Sequence, residues 1–173
     1  MIHTQPVELA FARERLGRVI AAWREQCAGA PMPCPELARF DFFTFAIGHL
    51  HLVEACPDGR FFFRIFSSMG RQYLDYHRRD TSAIRPASFR ALIEGGLSEV
   101  VATGMPALHD ITIEIPAPRR ACSYQRLLLP YGPPGGRASL VLVGIDDADE
   151  AATAEVFRDA MFLPATARAA AAV

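Results

Sequence analysis

Two residue types are missing from this 173-residue chain: it has no lysine and no asparagine. Without lysine there is no Schiff-base nucleophile and no phosphate-cradling P-loop. Without asparagine there is no Asn-linked glycosylation site and no kinase catalytic loop ending in Asn. All 18 basic residues are therefore arginine, and against 19 acidic residues they leave a formal net charge of -1. So balanced a chain carries no field that would draw it onto nucleic acid or an anionic membrane, and neither is expected as a partner. Long apolar runs are missing too, since no stretch approaches the ~18 residues that span a bilayer. Cysteine is sparse: Cys27, Cys34, Cys56 and Cys122 form no Cys-x-x-Cys pair, and no signal-like segment opens the sequence. The thiols read as unpaired in a reducing, cytoplasmic setting, and neither a disulfide nor a bound metal is expected. What is abundant is apolar mass, 51% of the residues, which is enough to bury a substantial core. One domain over residues 1–163 is expected, followed by a disordered Ala-rich tail over 164–173.

Along the chain, Pro6 suits the first turn of a helix. Leu9, Ala12, Leu16, Val19, Ile20, Trp23 and Cys27 then recur at three- and four-residue steps, which predicts an amphipathic helix. A shorter, Phe-rich helix is expected over Glu36 to Ile47. Strands are expected over Leu50 to Ala55 and Arg60 to Phe66, joined as a hairpin by Pro57-Asp58-Gly59. The segment from Ser67 to Ala83 is mixed, with a short helical turn around Tyr73, Leu74 and Tyr76. Beyond Pro86 a long helix is read from the spacing of Phe89, Leu92, Ile93, Leu97, Val100 and Val101, ending at Gly104-Met105-Pro106. Gly95-Gly96 inside it either marks a close approach of another backbone or splits the helix. Strands over Leu108 to Ile115, Cys122 to Leu129 and Ala138 to Ile145 form a meander, and Asp146 or Asp147 is placed to cap a last helix.

Helix, hairpin, short helices, long helix and meander is the element order of PAS domains, an α+β fold with a five-stranded antiparallel sheet carrying helices on one face. Three segments add to the resemblance: Phe61-Phe62-Phe63-Arg64-Ile65-Phe66 before Ser67-Ser68, the helix end from Glu99 to Gly104-Met105-Pro106, and Tyr124-Gln125-Arg126-Leu127-Leu128-Leu129-Pro130. Together they resemble a family of stand-alone bacterial PAS-like domains. This chain departs from that family's pattern where Ser67-Ser68 replaces Gly-Thr and Tyr131 follows the proline. The resemblance implies a sensory or regulatory binding module that acts on a partner protein or dimerises, with a ligand that varies from member to member. The flavin-linked photosensor branch carries an Asn-Cys-Arg motif, which a chain without asparagine cannot hold.

Both faces of Phe61 to Phe66 and of Leu140-Val141-Leu142-Val143 are apolar, whereas a face open to water would alternate. The middle helices can cover one face. The other needs the N-terminal helix, the C-terminal helix or a second protomer, which makes Leu16, Val19, Ile20 and Trp23 the candidate interface of a homodimer or a signalling partner. The resemblance places the short helices and the fourth strand around an internal cavity. Arg71, Tyr73, Tyr76, His77, Tyr124 and Arg126 are thus the candidate ligand-binding residues, arginine for an anion or carbonyl and tyrosine as a hydrogen-bond donor. Tyr124 and Arg126 share one face of that strand, but Leu127 and Leu129 leave undecided which face is inner. His49 and His51 share a strand face without a third metal ligand nearby. No catalytic triad is visible. The rival reading is a small cone-shaped α+β enzyme of the isomerase or dehydratase type, with Asp41, His109 and Asp110 as its acid/base candidates.

Overall fold

A computed structural model describes residues 1–67, 76–116, 119–147, 149–153 and 155–156, the side chains of 116 and 119 excepted. The elements run β1 (Ile2–Val7), α1 (Glu14–Cys27), β2 (Leu50–Ala55), β3 (Phe61–Ile65), α2 (Ala87–Thr103), β4 (Ala107–Pro116), β5 (Arg119–Tyr131) and β6 (Leu140–Asp147), with 3-10 turns between. The fold is α+β, and its single antiparallel sheet has the strand order β1-β4-β5-β6-β2-β3. The hairpin, long helix and meander stand in the expected order. The sheet has six strands rather than five because the first residues pair along β4, Ile2 opposite Ile113 through Val7 opposite Leu108. The N-terminal helix therefore starts at Glu14, well after Pro6. Proline is tolerated in β1 because an edge strand leaves one row of backbone groups unpaired in any case.

Local chemistry accounts for the hairpin and the long helix. Gly59 takes a φ of +83°, and the Asp58 carboxylate accepts from the Arg60 N–H at 3.1 Å, so the chain reverses and Ala55 faces Phe61. α2 runs unbroken through Gly95-Gly96 and stops where Gly104 adopts a left-handed φ of +67°. The Phe-rich segment is different: two 3-10 stretches, Pro35–Leu37 and Phe40–His49, replace the expected α-helix, and the second is kinked at Phe43. Neither Asp146 nor Asp147 caps the last helix. β6 extends through both, and the Asp149 carboxylate accepts from the Ala152 N–H at 2.9 Å, beginning helical backbone over 150–153. Residues 157–173, including the expected tail, lie outside the described residues.

β5 and β6 bury both their faces, and a separate apolar cluster sits on each. On one face Leu16, Val19, Ile20 and Trp23 of α1 pack against Leu50, Leu127, Leu129 and Leu142, and Trp23 Nε1–H donates to the Pro130 carbonyl at 3.0 Å. These four α1 side chains are almost wholly buried within their own chain. The expectation that they meet a partner is thereby corrected: α1 itself covers the outer sheet face. Each contributes roughly 1.5–3 kcal/mol by leaving water. Gly144 permits the close approach, since a Cβ there would lie 2.9 Å from Leu16 Cδ2. On the opposite face α2 lays Phe89, Leu97, Val100 and Val101 over Val53, Ile111, Leu128, Val141 and Val143.

Candidate functional site

The face covered by α2 is not completely filled. The register sets Leu128 opposite Val143 and Val143 opposite His51, Arg126 opposite Ile145, and Tyr124 opposite Asp147, so these side chains line one face in successive rows. With Phe89, Ile93 and Leu97 of α2 across from them, they line a partly open cavity of about 140 Å³. Phe63, Phe66, Ser67 and Tyr76 close one end, while Gly48, His49, Glu150 and Thr153 stand at the other.

Of the expected ligand-binding residues, the structure brings Tyr76, Tyr124 and Arg126 to this cavity and settles that the inner face of β5 carries the last two. His77 is not in the lining; it sits in the turn after Tyr76, where Arg78 N–H donates to the Phe63 carbonyl and Phe63 N–H to that of Arg79, so the turn runs along the free edge of β3. Arg71 and Tyr73 lie outside the described residues.

Arg126 is nine-tenths or more buried, and its one hydrogen bond among the described residues runs from Nη1 to the Leu92 carbonyl at 3.3 Å. Its Nε is buried without a hydrogen-bond partner among the described residues. No carboxylate forms an ion pair with it among the described residues. Burial lowers its pKa, although guanidinium stays protonated in proteins. Gly96 makes the room: a Cβ there would lie 2.7 Å from Arg126 Nη2 and 3.1 Å from Leu128 Cδ1. The close approach signalled by Gly95-Gly96 is thus that of a side chain, and α2 is not split.

His51 stacks on Phe66 with ring centroids 4.3 Å apart and meets Phe63 edge-on at 6.2 Å. Its Nδ1 accepts from the Ser67 N–H at 2.9 Å, so the proton of the neutral ring is on Nε2. Burial pushes its pKa down to about 3, helped by His49. Burial also pushes up the phenols of Tyr76 and Tyr124, which stay neutral donors.

At the solvent-facing end, His49, Asp147 and Glu150 bring one donor atom each to within 4.8 Å of one another. The protonation pattern argues for a hydrogen-bonded group rather than a metal site. Arg15 Nη1 can only donate, and it does so to His49 Nδ1 at 3.0 Å, leaving the proton on Nε2, 3.6 Å from Glu150. A protonated nitrogen has no lone pair for a cation. Burial, and next Arg15, hold the His49 pKa down. His51 Nδ1 is occupied by the Ser67 N–H, so that nitrogen is not open to a cation shared with His49.

The residues of the rival enzyme reading are not brought together. Asp41 is exposed and paired with Arg39. His109 is buried opposite Arg126, and Asp110, its neighbour on β4, points to the other face, where it accepts from Gln125 Nε2 at 3.0 Å. Sequence reasoning missed Ser67, Gly96 and Asp147 as parts of the site and weighed His51 only as a metal ligand. The glycine pair inside a helix was the one signal available.

No family model matches the sequence, and no curated protein matches it. Among solved structures, an RNA-binding Light-Oxygen-Voltage receptor overlaps 91% of this chain and 41% of its own, at 13% identity and a TM-score of 0.44. This chain therefore spans about two fifths of that receptor's length. What the receptor binds is a property of that protein.

Proposed function

We propose that the chain is a sensory or regulatory PAS-like module that takes a small molecule into the cavity beneath α2 and passes the change on by dimerising or through a partner protein. The observation that carries this reading is the cavity itself. Among the described residues it is walled by apolar side chains and holds Arg126, Tyr124, Tyr76 and His51 as convergent polar groups, the composition of a ligand site rather than of a filled core. The element order and the segments around Phe61 and Tyr124 support the PAS-like assignment. The scattered positions of Asp41, His109 and Asp110 speak against the isomerase-type alternative.

Native mass spectrometry of freshly purified full chain tests the proposal, because it reports both mass retained and oligomeric state. A retained small molecule, or a dimer whose population changes when one is added, is the expected result. Persistent ligand-free monomer across a panel of small organic compounds would overturn it.

A further inference from the structure

We propose that the cavity is built for a small monocarboxylate carrying a single aromatic ring, its carboxylate held by Arg126 and its ring set against Phe63, Phe66 and Val143. This rests on the reading of the chain as a small-molecule-binding module and goes further by naming the ligand class.

Charge is the first argument. Arg126 carries a positive charge into an apolar cavity with one carbonyl as its hydrogen-bonded partner among the described residues. The exposed Glu99 carboxylate acts on it only through space, with no ion pair among the described residues. A buried charge with no direct counter-ion is unfavourable, and arginine cannot relieve it by losing its proton. A carboxylate supplies the missing charge and matches the planar guanidinium with two parallel hydrogen bonds. The guanidinium's place is also built in, because only glycine at position 96 leaves space for Nη2.

Size is the second argument. The cavity of about 140 Å³ is close to the ~150 Å³ of a core cavity that takes up benzene, and well under the ~300 Å³ of a site for a drug-sized compound. One ring and one small headgroup use that volume.

The third argument is the character of the walls. Phe63 and Phe66, an edge-to-face pair with centroids 5.3 Å apart, form an aromatic cluster with His51 and Tyr76 along the cavity wall, a surface that suits an aromatic guest. His51 adds one neutral N–H donor to the same lining. Dianions and phosphate are disfavoured, since one guanidinium balances one charge and Asp147 and Glu150 stand at the solvent-facing end.

Isothermal titration of the full chain at neutral pH tests the proposal with benzoate, benzamide of nearly the same shape, pivalate and inorganic phosphate. The expected result is benzoate binding at least about tenfold more tightly than benzamide and than pivalate, with no heat from phosphate. In Arg126→Met, benzoate should lose about tenfold or more while benzamide is unchanged. Gly96→Ala, which displaces the guanidinium without removing it, should show the same loss and serves if Arg126→Met does not fold. Benzamide binding as well as benzoate, or benzoate unaffected in both variants, would overturn the carboxylate assignment while leaving the binding module standing. Pivalate binding more tightly than benzoate would overturn the aromatic one. If none of the four binds and xenon, followed by its own NMR signal, does not enter the cavity, the module reading fails with it.

Discussion

Two buried side chains on the α2 face set the chemistry of the molecule, and each carries a prediction. His51 holds its pKa near 3, against about 6.5 in an unfolded chain. Above pH ~6.5 neither state is protonated and the ring has no pH effect. Between that value and about 3 the unfolded chain takes up a proton that the folded chain refuses, so stability falls with falling pH, by up to about 1.4 kcal/mol per pH unit. The pKa values of His49 and His109 are lowered as well and add in the same sense. His51→Leu should be less stable than wild type at pH 7, having orphaned the Ser67 N–H, yet show a shallower decline between pH 6.5 and 4.5 in urea titrations. An unchanged slope would show that His51 is not the group responsible. For Arg126 the sign is opposite: exchanging an unpaired buried guanidinium for the apolar Met should leave ligand-free protein as stable or more so, by up to roughly 1–4 kcal/mol. A clear loss of stability would mean the charge is already satisfied in the folded chain. Neither environment was legible beforehand, because a strand apolar on both faces does not reveal which face holds Tyr124 and Arg126.

At the scale of elements, the two helices divide the work of covering the sheet. α1 is clamped at its start as well as along its face: Gln125 Oε1 accepts from the Arg13 N–H at 2.7 Å, Gln125 Nε2 donates to the Phe11 carbonyl at 3.2 Å, and Arg15 reaches Asp146 at 3.1 Å. The heptad-like spacing of Leu16, Val19, Ile20 and Trp23 predicted this helix and its apolar stripe, but not what the stripe meets. Since it meets its own sheet, Val19→Glu or Trp23→Glu should unfold the chain, costing upward of about 3 kcal/mol in chemical denaturation, rather than release a soluble folded protomer. In α2 the adjacent glycines are not equivalent. A Cβ on Gly95 would meet nothing within 4 Å, whereas one on Gly96 would press on Arg126 and Leu128. Gly95→Ala is accordingly expected to stabilise by about 0.5–1 kcal/mol through helix propensity, and Gly96→Ala to forfeit that gain. Equal effects in parallel urea melts would contradict the cradle.

For the whole molecule, the decisive feature is a sheet covered on both sides, with a complete apolar cluster under α1 and a cavity under α2. β1 lies at one edge and contributes only the half-buried ends Ile2 and Val7 to packing. A chain starting at residue 8 should therefore keep the other five strands and melt only a few degrees lower, on the order of 1–2 kcal/mol. It should self-associate through the freed edge of β4, visible by light scattering. Complete unfolding of that variant would show β1 to be integral to the sheet. The sequence by itself determined the hairpin at Asp58-Gly59, the long helix after Pro86, the meander and the amphipathic first helix, because turn chemistry and periodicity act over a few neighbouring residues. Only the tertiary structure decided that Ile2 to Val7 pair with β4, that α1 closes the outer face within one chain, and that Arg126 comes to rest over Gly96 beside a cavity. Those outcomes depend on which distant strands become neighbours, and strand order and facing are fixed by long-range pairing and packing that no local pattern encodes.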